Sequence, residues 1–351
     1  MQCTCTLLQL FLATAYNRGM GAGIRSVPRG WLKPGLLLLL VPIALGGWLI
    51  WFSRPGHVKP KDSLFEAVNK QDLKSVQAHV LTGASLNDVS ESGHTALFTA
   101  AGNGDAPTVK YLLEHGASPN AELAGRTTPL DAGALAGSLE VVTDLIKHGA
   151  DVKQTTKDGE TSLHAAAAGG NVAIVKLLLE KGLDPQARRK TDHATPLCDA
   201  ASGGHWDCIQ ELTAHGAKID TTGFHGRSPL TLSIQGRHRE VSRNLIAAGA
   251  DVNLADYDGI KPLAFAIIAG DYDLVKQLIA ITKDLGKYQS AGRNVLYTAV
   301  FYAAPKDIIQ ELLDKGVTPN QINKNQTPLQ IATENEDKEL IAALKKAGAT
   351  E

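Results

Sequence analysis

Two cysteines and two histidines lie close together near the middle of the chain, and both residue types bind transition metals. Cys198 and Cys208 fall in one stretch with His193 and His205. However, Cys208 stands at a position that is apolar elsewhere in a recurring pattern, where the equivalents are Val141, Ile174, Val241 and Leu274. We therefore predict a buried core cysteine and no metal site. A disulfide between Cys198 and Cys208 stays open as an alternative in an oxidising compartment.

Other motifs with a chemical use are incomplete or missing. Asp256-Tyr257-Asp258-Gly259 is similar to the start of a calcium-binding loop, but the twelfth residue counted from Asp256 is Ile267, where the loop requires an acid. The sequence contains no H-E-x-x-H, no G-x-S-x-G and no Walker-type glycine loop. We therefore expect no enzymatic activity, no cofactor and no small-molecule substrate.

A leucine recurs every 33 residues, with one step of 34, and this period organises most of the chain. Nine positions carry it: Leu64, Leu97, Leu130, Leu163, Leu197, Leu230, Leu263, Leu296 and Leu329. Such a period predicts a stack of similar supersecondary units rather than separate globular domains.

Each unit is predicted to contain two helices. Thr or Ser followed by Pro precedes several of the leucines, as in Thr128-Pro129-Leu130, and this is a helix-start signal. Small residues and a turn glycine follow, after which apolar residues recur at helical spacing from Val172 to Leu179. A glycine such as Gly182 then suits the left-handed turn that closes a helix.

These motifs resemble the ankyrin-repeat family. Thr161-Ser162-Leu163-His164-Ala165-Ala166, followed by Gly170-Asn171, Leu178-Leu179 and Gly182, is similar to that family's consensus. The resemblance implies an all-α solenoid of about nine helix-turn-helix repeats over residues 62–351, with projecting hairpin turns and a concave recognition face. It also implies that His164 holds neighbouring turns together by hydrogen bonds.

The pattern departs from the consensus in four places, one of which is Ala303-Ala304-Pro305 in place of a turn glycine. The repeat at Leu64 is shortened in front, and the repeat at Leu329 carries the polar run Thr333 to Lys338, so both are predicted to be end caps. The repeat at Leu263 lacks its closing Gly-Ala pair. We therefore expect an irregular connection between Ile281 and Pro305.

An uncharged apolar segment precedes the repeats. Residues 36–52 read LLLLLVPIALGGWLIWF, which is near the minimum length for one transmembrane helix. Residues 1–35 are predicted to be a disordered, basic lead-in, and residues 53–61 a short linker. The small excess of basic residues before the segment favours a cytoplasmic N-terminus and an extracytoplasmic repeat domain, periplasmic in a bacterium. A cleaved signal peptide is the alternative.

Overall charge argues against nucleic acid as the partner. The chain has 35 Lys and Arg against 36 Asp and Glu, so no basic field attracts a phosphate backbone. In the family that the repeats resemble, hairpin tips and the exposed side of the first helix contact a protein partner. The residues predicted for that role here are Arg188, Arg189, His193, His205, Trp206, Phe224, His225, Arg227, Arg237, His238, Arg239, Tyr257, Phe265 and Tyr297.

The expected function is a non-catalytic scaffold that is anchored to a membrane by residues 36–52 and binds one protein partner. A regulator or inhibitor of a membrane-associated enzyme is a second interpretation. A secreted effector is a third, and it requires removal of the N-terminal segment.

Overall fold

The helices of this chain come in pairs, as the repeated pattern predicts. A computed structural model describes residues 63–121, 127–290, 293–321 and 326–350. Within these ranges eighteen α-helices form nine pairs, which confirms the predicted number of repeats. The predicted lead-in, anchor and linker (1–35, 36–52 and 53–61) lie outside the described residues.

The first five pairs follow the chain without interruption. They are α1 Leu64–Asn69 and α2 Leu73–Leu81, α3 Ala96–Gly102 and α4 Ala106–Glu114, α5 Pro129–Leu135 and α6 Leu139–Lys147, α7 Ser162–Gly169 and α8 Val172–Glu180, and α9 Pro196–Gly203 and α10 Trp206–Ala214. A single 3-10 turn, Phe224–Gly226, lies before the sixth pair.

The last four pairs include one irregular connection. The helices are α11 Pro229–Gln235 and α12 Arg239–Ala247, α13 Pro262–Ala269 and α14 Tyr272–Ile281, α15 Val295–Phe301 and α16 Lys306–Asp314, and α17 Pro328–Glu334 and α18 Lys338–Lys346. Between α14 and α15 lie the 3-10 turn Leu285–Lys287 and two short strands, β1 Gln289–Ser290 and β2 Arg293–Asn294.

Side-chain caps define where the first helices begin. The Thr128 hydroxyl accepts a hydrogen bond from the Asp131 backbone N–H at 3.2 Å, and the Asp131 carboxylate accepts one from the Thr128 N–H at 2.9 Å. Pro129 follows at the first helical position, where no backbone donor is needed. A cap of this kind contributes about 1 kcal/mol, which matters for helices of only six to eight residues.

The first helices of successive repeats pack side by side and bury the recurring leucines. Leu97, Leu130 and Leu163 are among the largest fully buried side chains. Small residues allow the close approach: a Cβ atom at Gly169 would lie 2.4 Å from the Leu135 carbonyl oxygen of the preceding repeat. Burying each leucine contributes about 1.5–3 kcal/mol, and this burial depends on the neighbouring repeat.

The two ends of the stack bury less than its middle. Helix α2 buries only Val76, and α18 buries only Leu340 and Leu344. The remaining faces of both helices are accessible to water, as the end-cap prediction requires.

The connection between α14 and α15 is irregular, as predicted. Helix α14 ends at Ile281, and Thr282 after it has extended backbone, because no glycine is present to adopt the left-handed conformation that closes the other second helices. The chain instead forms a 3-10 turn and a two-stranded pairing of Gln289 with Asn294 and Ser290 with Arg293. This short hairpin is the difference from the all-α prediction, and it arises where the repeat lacks its Gly-Ala pair.

Ion pairs connect the second helices of the last four repeats. Arg239 Nε lies 3.0 Å from Asp271, Lys276 Nζ lies 2.7 Å from Asp307, and Lys306 Nζ lies 3.4 Å from Asp337. Each pair joins a base on one second helix to an acid at the start of the next. Exposed pairs of this type contribute about 0–1 kcal/mol each, so they support the stack without determining it.

None of the helices in the described ranges is long and apolar enough to cross a membrane.

The turn between the two helices of a repeat holds one residue in the left-handed conformation. That residue is glycine in five repeats, for example Gly270 at φ 71°. Arg237 at φ 59° and Glu336 at φ 56° occupy the same position with full side chains. Left-handed backbone costs an L-residue with a Cβ atom roughly 1–2 kcal/mol, so both turns carry local strain.

Replacing Arg237 or Glu336 by glycine should therefore increase the free energy of unfolding. We expect a gain of about 0.5–1 kcal/mol for each variant, because the relief of strain exceeds the added backbone entropy of glycine in the unfolded chain. Urea-induced unfolding followed by circular dichroism measures the change.

Gly270→Ala is the matched control, since no atom lies within 4 Å of the added methyl group and only the backbone is affected. This control should lose about 1 kcal/mol. A loss of stability in both Arg237→Gly and Glu336→Gly would show that the left-handed turns are not strained.

Candidate functional site

The hairpin before α9 is fastened to the next repeat by Arg188. Its Nη1 atom donates to the carbonyl oxygens of His193 at 3.1 Å and Thr222 at 2.9 Å, and Nη2 donates to Thr221 Oγ1 at 3.1 Å. These acceptors are neutral, so no carboxylate among them offsets the positive charge of the exposed guanidinium. His193 is also exposed and has a left-handed φ of 57°.

Arg189 is the centre of a half-buried charged cluster. Its Nη2 lies 2.8 Å from Asp199 Oδ1, its Nε lies 3.1 Å from Asp192 Oδ1, and its Nη1 lies 3.7 Å from Glu160 Oε1. One cation thus serves three carboxylates. Arg189 was predicted to contact a partner, and the structure places its charge within the protein instead.

The excess of carboxylates changes their protonation. Burial raises the pKa of Asp199 to about 7 although Arg189 lowers it, and the carboxylates of Glu160 and Asp192 add to the increase. The second oxygen of Asp199, Oδ2, is buried without a hydrogen-bond partner among the described residues. Burial also raises the pKa of Glu160. Below about pH 7 the cluster therefore holds a proton on Asp199.

His164 has the structural role that the resemblance implied. Its Nδ1 accepts from the Thr161 backbone N–H at 3.2 Å, so its Nε2 carries the proton and donates to the Ala194 carbonyl at 3.2 Å. Burial lowers the pKa of His164 to about 4, which keeps the ring neutral near pH 7. The ring joins its own repeat to the hairpin of the next one.

Two other predicted contact residues clamp neighbouring repeats. His205 Nε2 lies 3.0 Å from the Ala168 carbonyl oxygen, and His238 Nε2 lies 2.8 Å from the Ser202 carbonyl oxygen. In each case the ring satisfies a carbonyl at the end of the preceding first helix, where no intrahelical donor remains. Both side chains are half-buried, and the Nε2 atom of each ring is engaged in this hydrogen bond within the protein.

Trp206 begins helix α10 beside these clamps and is half-buried, as predicted. It packs against the core and lines an open groove of about 480 Å³ together with His205, His238 and Arg239. Arg239 is exposed but forms its ion pair with Asp271.

The tips of the next two hairpins carry the exposed aromatic residues. Phe224 is 50% exposed and Tyr257 is 71% exposed. The Tyr257 N–H donates to the His225 carbonyl at 2.9 Å, and a Cβ atom at Gly226 would lie 2.4 Å from the Tyr257 ring. The two tips are therefore in direct contact, and the glycine makes room for the ring.

Arg227 lies beneath these tips rather than at the surface. Its guanidinium carbon is 5.9 Å from the Phe224 ring centre and 5.4 Å from the Phe265 ring centre, and its Nε is 3.5 Å from Asp256 Oδ2. Arginine between two rings is stabilised by cation–π attraction. The side chain supports Phe224 from below.

The predicted exposure of Phe265 and Tyr297 is wrong. Phe265 is 7% exposed and Tyr297 is 2% exposed, because both belong to the continuous core of the stack. Phe265 lies under Arg227, and Tyr297 lies under Phe301 at 6.0 Å between ring centres. Neither side chain forms part of the accessible surface.

Exposed apolar residues at the ends of first helices were missed from the sequence. Leu135, Ile268, Phe301 and Tyr302 are all exposed. The first three occupy one repeat position, five residues after the recurring leucine. The sequence did contain a signal for them. Comparing the residues that lie five positions after the recurring leucine in each repeat identifies Leu135, Ile268 and Phe301 as large apolar residues.

The two cysteines of the repeat domain are core residues. Cys208 is fully buried, which confirms its prediction, and Cys198 is also buried; both are free thiols. Burial raises the pKa of Cys208 to about 11. In the described ranges, no group of three or more His, Cys, Asp or Glu side chains is arranged to hold a metal ion.

Comparison with known proteins agrees with this architecture. The family model described as ankyrin repeats (3 copies) matches residues 64–156, 134–223, 186–256 and 263–350. The chain therefore belongs to the ankyrin-repeat family. No curated protein matches it.

Asp199 should make the stability of the protein dependent on pH in an unusual direction. In the folded state it holds its proton up to about pH 7, whereas an unfolded aspartate releases it near pH 4. Folding therefore takes up a proton between these values, and the contribution of Asp199 to stability falls as the pH rises from about 4 to about 7. Asp199→Asn removes this titration.

The stability of Asp199→Asn relative to the wild type should thus increase with pH across that window, as measured by urea unfolding. Asp192→Asn is the comparison: despite burial, the Ala194 N–H and Arg189 lower the pKa of Asp192, and its carboxylate is the smallest named contribution to the raised pKa of Asp199, so any increase with pH should be much smaller. The contribution of His164 to the stability of the protein decreases as the pH falls, but His164 is present in all three proteins and its effect cancels in the comparison. A relative stability of Asp199→Asn that does not change with pH would contradict the prediction.

Proposed function

We propose that this protein is a non-catalytic scaffold that binds a protein partner through its hairpin tips. The observation that carries the proposal is the exposure of Phe224 and Tyr257 on adjoining tips. Aromatic side chains contribute a large contact area with few rotatable bonds, and they are enriched among residues that dominate binding energy. Membership of the ankyrin-repeat family supports a protein-binding role.

Charge around these rings supports the same surface. We define the tip surface as Arg188, Lys190, His193, Phe224, His225 and Tyr257, all of which are exposed. Its acidic neighbours Asp192 and Asp199 are paired with Arg189. The tip surface therefore presents basic and aromatic groups together, with the exposed Asp258 next to Tyr257.

Hydrogen bonds hold the tips in one arrangement. The Lys190 N–H donates to the Asp158 carbonyl at 2.8 Å, and its Nζ donates to the Lys157 carbonyl at 3.0 Å. The Thr191 hydroxyl donates to Asp158 at 2.6 Å. Binding to a preformed surface loses little conformational entropy, so few contacts suffice for useful affinity.

Attachment to a membrane is the second part of the proposal. Residues 36–52 would anchor the chain, with the N-terminus in the cytoplasm and the repeats on the other side. An anchor raises the effective concentration of the scaffold near partners on the same surface. An adaptor and an inhibitor of a membrane-associated enzyme differ in whether the captured partner loses activity, and mass analysis of the mature chain identifies a cleaved, secreted form.

Substituting the tip aromatics should abolish partner capture. The full-length chain and its Phe224→Ser/Tyr257→Ser variant are compared by crosslinking in intact cells, affinity purification and quantitative mass spectrometry. We expect at least one protein to be lost about tenfold or more from the variant, the effect of removing roughly 1.4 kcal/mol or more of binding energy.

Leu81→Ser is the matched control, because Leu81 is an exposed apolar residue on α2, far along the chain from the tips. It should recover the same proteins as the wild type. If the tip variant also recovers all of them, the tip surface does not bind a partner.

Deletion of residues 36–52 tests the anchor. The full-length chain should remain in the membrane pellet after carbonate extraction, because a segment of about seventeen apolar residues partitions into the bilayer. The deletion variant should move to the supernatant. Its circular dichroism spectrum should still show the helical signal of the repeats. A full-length chain that carbonate releases would exclude a transmembrane anchor.

A further inference from the structure

A row of exposed residues follows the ends of the first helices in the last four repeats. We call it the turn row; it consists of Arg237, Ile268, Phe301, Tyr302, Glu334 and Glu336. Each lies five to seven residues after the recurring leucine of its repeat, so the row continues from one repeat to the next in register. None of these residues belongs to the tip surface.

The middle of the turn row is apolar and accessible. Ile268, Phe301 and Tyr302 are all exposed, and Phe301 is the most accessible of the three at 53%. The Phe301 ring rests on the buried Tyr297 ring and lies 5.2 Å from the Tyr302 ring centre. The aromatic surface is thus supported from beneath and is presented in a defined orientation.

One end of the row is positive. Arg237 is exposed, and its guanidinium forms no ion pair or hydrogen bond within the described residues. Its acidic neighbour Asp271 pairs with Arg239 at 3.0 Å, so a net positive charge remains beside the start of the apolar middle.

The other end is negative. Glu334 accepts two hydrogen bonds from the neutral amide of Gln326, at 2.9 and 3.1 Å. Glu336 is exposed and has no ion-pair partner in the part of the chain that the structure describes. The nearby base Lys306 is already paired with Asp337 and Glu339, and Lys345 lines a groove with Glu334, so two glutamates face one base at this end.

The charged residues at the two ends share a conformational cost. Arg237 and Glu336 both occupy the left-handed turn position, which is glycine in five repeats, Gln71 in the first and Ala303 in the eighth. Strained backbone is concentrated at functional positions, where the side chain matters more than the local loss of stability. Among the nine described turns, these two hold the charged side chains at this position, one of each sign.

The length of the row follows from helix packing. First helices α11, α13, α15 and α17 contact one another in sequence. Packed helices lie about 8–10 Å apart, so three steps separate the two ends by roughly 24–30 Å. A helix of roughly 16–20 residues spans this distance at about 1.5 Å per residue.

We propose that the turn row binds a single polypeptide segment with an acidic end, an apolar middle and a basic end. The acidic end lies against Arg237, the apolar residues cover Ile268, Phe301 and Tyr302, and the basic end lies against Glu334 and Glu336. Opposite charges at the two ends set the register of the segment, and the apolar middle contributes most of the affinity. The proposal rests on the protein-binding function and names the chemistry of the segment.

A random 20-residue peptide library displayed on phage tests this chemistry against the full-length chain. Enriched peptides should carry an acid and a base on opposite sides of an apolar stretch, in either chain direction. We expect the charges about 16–20 residues apart for helical peptides and about 8 for extended ones. Enrichment of peptides without opposite charges at their ends would overturn the proposal.

Charge-reversal variants make the test specific to the turn row. Arg237→Glu should select peptides with basic residues at both ends, and Glu334→Lys/Glu336→Lys should select peptides with acidic residues at both ends. For one bipolar peptide taken from the wild-type selection, each variant should weaken binding about fivefold or more. Unchanged selection and affinity in both variants would contradict the assigned contacts.

A matched pair of apolar substitutions locates the middle of the segment. Phe301→Ser should reduce peptide affinity about tenfold or more, whereas Leu135→Ser, at the same repeat position outside the row, should leave it unchanged. Urea unfolding of both variants verifies that the stack is intact. Equal losses in both variants would show binding elsewhere.

The test separates this inference from the proposed function. Loss of cellular partners in Phe224→Ser/Tyr257→Ser concerns the tip surface and does not depend on the turn row. If that loss occurs while no bipolar peptide is enriched, the scaffold function stands and the turn-row proposal is wrong.

Discussion

Lateral packing of the first helices is the constraint on which the rest of the molecule depends. Each helix is only one or two turns of buried leucine and alanine, too short to be stable alone, and its apolar face is covered only by its neighbours. The close contact of Gly169 with the Leu135 carbonyl shows how little space separates the helices. Side-chain size is therefore restricted where two first helices approach this closely.

Polar residues of the central repeats mostly serve this packing. His164, His205 and His238 each satisfy a carbonyl of a neighbouring repeat, and Arg188 fastens one hairpin to the next. Histidine and arginine, although frequent at binding surfaces, thus form hydrogen bonds between repeats here. What remains accessible is a smaller set, in which Phe224 and Tyr257 have no equivalent internal task.

Two places depart from the most stable arrangement, and they differ in kind. The half-buried Arg189 cluster holds three carboxylates around one cation, and burial raises the pKa of Asp199 to about 7. The turns at Arg237 and Glu336 hold bulky residues in left-handed backbone. The cluster makes stability depend on pH, whereas the turns reduce stability at any pH and place opposite charges at the ends of one exposed row.

The sequence by itself determined the repeat period, the number of helix pairs, the core position of Cys208 and the irregular connection after Ile281, because these depend on local caps, glycines and apolar spacing. It could not separate exposed from buried members of one repeat position. Phe265 and Tyr297 are covered by Arg227 and Phe301, and Arg189 is neutralised by acids from three different segments. Only the tertiary structure decided these contacts, because the burial of a side chain depends on which residues of its own helix, of a nearby hairpin and of the neighbouring repeat pack against it.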